Sequence, residues 1–243
     1  LQQWAPHDAR SLAYHFDAAG DSRSALPHAL VAAEQARAQH VLETAEQQYR
    51  IAERGSYASP VATRFRIAEG LGDVLMLRGR YDDAGRLFHA AAEIAENNLS
   101  KAQIRGKLGE LAFKRGDMDG AIHDIERALR YLGRFVPQRK WLLVLLLLWE
   151  TLVQVAHSWF PRFFLYRCKR HPTEQERLVL SLLSNLCHGC WYGRSMVMAL
   201  WAHLRELNYV ERFLPGRELA QAYSEHAPAM TLVLDQVRLN RQR

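Results

Sequence analysis

Leu71-Gly72-Asp73-Val74-Leu75, Gly79-Arg80-Tyr81 and Ala84-Gly85-Arg86-Leu87-Phe88-His89-Ala90-Ala91 are followed by a second copy of the same pattern. That copy reads Leu108-Gly109-Glu110-Leu111-Ala112, Gly116-Asp117-Met118 and Ala121-Ile122-His123-Asp124-Ile125-Glu126-Arg127-Ala128. Leu71 and Leu108, Gly79 and Gly116, and Ala84 and Ala121 each stand 37 residues apart. A fixed period of this length means stacked supersecondary units, so the reading is a repeated helical hairpin across Leu71 to Leu132.

Each position in the pattern has a physical reason. Leu-Gly sets an apolar knob beside a site with no side chain, which lets a partner helix approach. Gly79 and Gly116 stand where one helix must stop and the next begin, and glycine adopts the left-handed conformation there at least cost. Ala84 and Ala121 are small where two helices are expected to cross. Phe88 and Ile125 fall four residues later on the same face, followed by Ala91 and Ala128. This pattern resembles the tetratricopeptide repeat, whose units carry Leu-Gly, a later aromatic and Ala-x-x-x-Phe. It departs from that family at Ala68 and Arg105, where a Trp is usual, and it lacks the closing Pro.

Upstream, Asp8 to Ala19 reads as a helix closed by Gly20-Asp21, and Ser22 or Ser24 is the expected cap of a second helix reaching about Gln39. Ala25, Ala29 and Ala32 repeat the small-residue offsets, as do Ala45, Tyr49 and Ala52 on a third helix from about Val41 to Arg54. The second of these signatures has no glycine turn and is read as sharing the helix of the first. Four signatures therefore precede residue 130. The period is lost at Gly133-Arg-Phe-Val-Pro137, and helices resume at about 173–191, 194–208 and 216–227. Thr173 with Glu176 forms a capping box. The domain reading is repeats over 1–132, an irregular connection with a Leu-rich helix over 133–172, and further helical repeats over 173–243.

Composition agrees with an all-α class. The chain has 243 residues, 49% hydrophobic and 24% charged, with 14 Gly and 8 Pro and no strand-like runs of Val, Ile and Thr. Three Cys make no disulfide framework, so a reducing, cytoplasmic setting is expected. No basic-then-apolar leader follows Leu1, and both ends read as cut from a longer protein.

Trp141 to Phe160 opens with nine uninterrupted apolar residues. About 20 such residues are needed to cross a bilayer, and Glu150, Gln154 and His157 interrupt the second half. The expectation is a soluble helix, buried or lining a groove, with an interfacial or spanning helix as the alternative. Residues 134–170 also hold seven Arg/Lys against one acid, Glu150, a local excess equal to the formal net charge of +6. A nucleic-acid surface is one reading of such a segment. The basic residues do not share a helical spacing, so a solvated rim or a face for an acidic partner is preferred, with no nucleic acid.

Cys168-x-x-His171 and Cys187-x-x-Cys190 have the ligand types and spacings of structural zinc. A full helix over 174–186 leads into the second pair and favours packed thiols, so no metal is expected. The eleven His form no nucleophile–base–acid arrangement, and no phosphate-cradling loop or dinucleotide turn is present. No catalytic or cofactor-binding residue is assigned.

Three further stretches resemble the helical repeat region of large bacterial signalling ATPases. They are Leu12-Ala-Tyr-His15 with Ala19-Gly20-Asp21 and Ala32-Ala33-Glu34; Ala128 to Gly133 with Val136-Pro137; and Leu200 to Arg205 with Asn208, Glu211-Arg212 and Glu218 to Ala227. The resemblance implies an array linking an ATPase to a nucleotide cyclase, histidine kinase or Ser/Thr kinase output. The implied role is a non-catalytic scaffold that binds protein, either a neighbouring domain or a partner chain. The alternatives are a membrane-associated arm using 141–160 and a nucleic-acid-binding regulator.

Overall fold

Small residues decide where these helices stop and how closely they pack. The computed structural model describes residues 6–192 and 195–225, and no strand occurs among them. The helices are α1 Pro6–Ala18, α2 Ser22–Ala38, α3 Leu42–Gly55, α4 Val61–Leu77, α5 Tyr81–Ile94, α6 Asn98–Lys114, α7 Met118–Tyr131, α8 Lys140–Trp159, α9 Pro161–Phe164, α10 Glu174–Tyr192 and α11 Met196–Val210. Residues 217–225 are helical as well, while residues 226 and 227 of the expected last helix lie outside the described residues. The chain divides into two compact units between Arg115 and Gly116.

In the first unit, successive helices pack pairwise from α1 to α6, and α1 also touches α3, α2 touches α4 and α4 touches α6. The turns share one geometry. Gly20 and Gly79 are left-handed (φ +79° and +76°), and the next N–H reaches back into the preceding helix, Asp21 to Phe16 and Arg80 to Leu75, each at 2.9 Å. This satisfies carbonyls that the helix end would otherwise leave free. The signature read as lacking a glycine turn has this turn too. His40 adopts φ +59°, and Val41 N–H donates to the Ala36 carbonyl at 2.9 Å. Histidine is among the side chains that tolerate this region best. α2 therefore ends before α3 begins, and it packs on both α1 and α3. Its cap also differs from expectation, since Asp21, not Ser22 or Ser24, accepts from the Ser24 N–H at 3.1 Å. That hydrogen bond holds the Asp21 carboxyl below its ordinary pKa.

The core of this unit joins Ala25, Ala29, Tyr49, Leu71, Leu75, Ala84, Phe88, Ala91 and Leu108 in one buried cluster. Gly72 is buried beneath Phe88, where an added Cβ would lie 2.4 Å from the ring. Phe88 thus packs over the glycine of its own hairpin. Gly70 does the same for Tyr49, at 2.3 Å from the hydroxyl oxygen. Burial, the dominant influence, pushes the Tyr49 phenol up to about 12. Asp73 fastens α4 to two neighbours, accepting from Arg37 on α2 at 3.0 Å and pairing with Lys107 on α6 at 2.9 Å. Burial opposes charge on Lys107, yet the Asp73 carboxylate outweighs it and leaves the pKa above its ordinary value.

In the second unit, α7 packs on α10, α10 on α11, and α11 on α8. Ala121, Ile125 and Ala128 are buried on α7, and Gly116 (φ +82°) precedes that helix. Gly189 on α10 leaves room for Ile122, which an added Cβ would approach to 3.3 Å. The Thr173–Glu176 capping box forms in both directions, at 2.8 and 3.3 Å. The connection after α9 is tied to the end of α11 by backbone bonds, Tyr166 to Glu211, Cys168 to Arg212 and Leu214 to Arg170.

Of the two expectations for α8, burial fails, while Leu146, Trp149 and Glu150 do line a cavity of about 170 Å³. Only Leu143, Glu150 and His157 are buried along it, while Trp141, Leu145, Leu148, Trp149, Leu152 and Trp159 are exposed. The reason is the partners of its polar residues. Glu150 accepts from Arg205 at 2.7 Å and from the Asn208 amide at 2.8 Å. His157 Nδ1 meets the Glu211 carboxylate at 2.5 Å, and Tyr223 donates to the same carboxylate at 2.8 Å. The residues that interrupt the apolar pattern are thus the ones turned inward.

Candidate functional site

A groove of about 880 Å³ lies wholly in the first unit, between α1 and α3, and reaches Arg78 at the end of α4. α2 stands between α1 and α3 in sequence and packs on both, which leaves the two odd-numbered helices side by side. Each offers one polar face, because the alanine offsets consume the other. On α3, Ala45, Tyr49 and Ala52 turn into the core, while Glu43, Gln47, Arg50 and Arg54 line the groove.

The charges in the groove are mostly paired with one another. Arg54 grips Asp17 across the two helices, with Nη2–Oδ2 at 2.6 Å and Nε–Oδ1 at 3.2 Å. Glu46 is 9% exposed and accepts from Arg78 at 2.5 Å and Arg80 at 2.8 Å, with Arg50 at 4.0 Å. Arg80 and Arg86 both pair with Asp83 just beyond. The Arg80 bond holds the Asp83 carboxyl below its ordinary pKa.

Three groups are left with unused capacity. Arg10 carries no ion pair among the described residues, Tyr14 is 63% exposed, and Gln48 Oε1 is buried without a hydrogen-bond partner. A cation and an exposed aromatic ring can hold a polypeptide by charge and stacking. Sequence reading did not bring these three together, and a single sequence gives no sign that α1 and α3 are neighbours.

Of the residues named for repeat packing, Leu71, Gly72, Ala84, Phe88, Ala91, Leu108, Gly109, Ala121, Ile125 and Ala128 are buried, and Gly79 and Gly116 sit exposed in left-handed turns. The cysteine and histidine candidates do not converge. Among the described residues no three His, Cys, Asp or Glu side chains form a group able to hold a metal. Cys168 is exposed in the connection, His171 lies near Gly216, and Cys187 and Cys190 sit on α10. Burial pushes the Cys187 thiol up to about 12.

Comparison with known proteins bears on this fold. Residues 63–133 match the tetratricopeptide repeat family model. No curated protein matches the chain. Among solved structures, the chain is similar to BtubC (BKLC) from P. vanneervenii, with a TM-score of 0.55 and 18% identity over 97% of this chain and 85% of that one. The fold is an all-α, tetratricopeptide-like α-solenoid.

Proposed function

We propose that this chain is a non-catalytic scaffold that binds protein through the groove between α1 and α3. Tetratricopeptide repeats generally mediate protein–protein interaction, and residues 63–133 carry that family's pattern. The observation that carries the proposal is a groove of about 880 Å³ lined by Tyr14, 63% exposed, and by an exposed Arg10 that has no ion pair among the described residues.

The partner we propose is a neighbouring domain of a bacterial signalling ATPase in the cytoplasm. Support comes from the resemblance of Leu12–His15, Ala128–Gly133 and Leu200–Arg205 to the repeat regions of such proteins. Chemistry belongs to the neighbouring domains in this reading, since the charged groups of the groove pair with each other rather than around a reacting centre. Hydrogen exchange tests it. Binding of the ATPase domain should protect amides of α1 and α3, and Arg10→Glu with Tyr14→Ala should abolish that protection without changing the melting midpoint. Protection confined to other helices, or none at all, contradicts the proposal.

A further inference from the structure

The exposed side of α8 is a single stripe. Trp141, Val144, Leu145, Leu148, Trp149, Leu152, Val155 and Trp159 recur at helical spacing and all face outward. Phe160 and Phe163 extend the stripe past the helix end, with Phe163 74% exposed. α8 has 20 residues, which gives a stripe about 30 Å long. An exposed apolar patch of this extent marks an interaction surface rather than ordinary surface scatter.

Cationic groups bracket the stripe at both ends. Arg139 and Lys140 precede Trp141, and Arg162, Arg167 and Lys169 follow Trp159; all five are exposed. Arg139, Lys140, Arg162 and Lys169 carry no ion pair among the described residues, and Arg167 lies over the Phe164 ring at 5.6 Å. The nearest acid on the helix, Glu150, is 2% exposed and already bound to Arg205 and Asn208. The surface therefore combines tryptophans, aliphatic side chains and unneutralised cations. An anionic bilayer interface complements each of these, taking tryptophan at the headgroup level and lysine and arginine at its phosphates.

We infer that α8 and α9 dock flat on an anionic lipid surface, with the Trp141–Phe163 stripe in the headgroup–acyl boundary and the flanking cations on the phosphates. α8 meets the length and composition required to cross a bilayer. It lies flat instead, because Glu150 and His157 are bound to Arg205, Asn208 and Glu211. Spanning would either tear those pairs apart or carry the polar side chains of α11 into hydrocarbon. A helix with one polar side held by its own protein and one apolar side exposed suits the interface plane.

The test is flotation of the 243-residue chain with phosphatidylcholine vesicles and with vesicles containing phosphatidylserine, alongside tryptophan quenching by brominated lipids. Binding should be strong only with phosphatidylserine, should weaken as salt rises, and should bring quenching from shallow bromine positions. Lys140→Glu and Arg162→Glu should each weaken binding by about fivefold or more. Leu148→Glu with Leu152→Glu should abolish it while leaving helicity and the melting midpoint unchanged, since both side chains are exposed. Failure to bind either vesicle overturns the inference. So do equal binding to both vesicles, quenching from deep bromines with resistance to alkaline extraction, or self-association through Leu148 and Leu152 in place of lipid binding.

Discussion

A methyl group added at Gly72 would stand 2.4 Å from Cε1 of Phe88, a fully buried ring. Helix propensity alone favours alanine over glycine by about 1 kcal/mol. Overpacking a filled contact costs roughly 1–3 kcal/mol, so the clash should win. Gly72→Ala is therefore expected to lower the urea midpoint, and combining it with Phe88→Leu should restore part of the loss. A stabilised Gly72→Ala protein would contradict the packing. Leu-Gly was legible in the sequence because it recurs at the repeat period. Gly70 was not, since its partner Tyr49 comes from another helix and nothing in the local pattern pairs them. His40 escaped notice for a different reason: the left-handed turn was sought as a glycine, and histidine can occupy it.

At the scale of elements, most helix positions follow from the spacing of small and apolar residues, while the direction each helix faces depends on partners. The apolar run from Trp141 to Trp149 was plain in the sequence, but which side of the helix is buried was not. Glu150 and His157 look like a solvent side until Arg205, Asn208 and Glu211 are placed against them. Glu206 on α11 is another buried acid, 4% exposed, facing Cys187 on α10 and Glu225 on the helical segment 217–225. Burial first, and the Glu225 charge second, push its carboxyl up to about 8. A carboxyl raised on folding stabilises the native state while it keeps its proton. That contribution is complete below the ordinary carboxylate range and is lost as pH rises to about 8, by at most about 1.4 kcal/mol per pH unit. Glu206→Gln should flatten this dependence and be more stable than the parent at mildly alkaline pH. Parallel pH profiles for the two proteins would show that Glu206 is ionised throughout.

For the whole molecule, the sequence period reaches Gly133, whereas the compact units divide between Arg115 and Gly116. The fold class was legible because repetition is a global signal that one sequence carries by itself. The groove was not, because it arises from the alternation that sets α1 beside α3, and its lining residues are ordinary surface types. Central to the account is a chain that recognises protein and leaves nucleotide chemistry to its neighbours. Calorimetry on residues 1–243 tests this most directly, titrating ATP in one experiment and the proposed ATPase domain in another. The account predicts no heat from ATP and saturable binding of the domain that Arg10→Glu with Tyr14→Ala weakens at least tenfold. Micromolar ATP binding with no binding of the domain would contradict it.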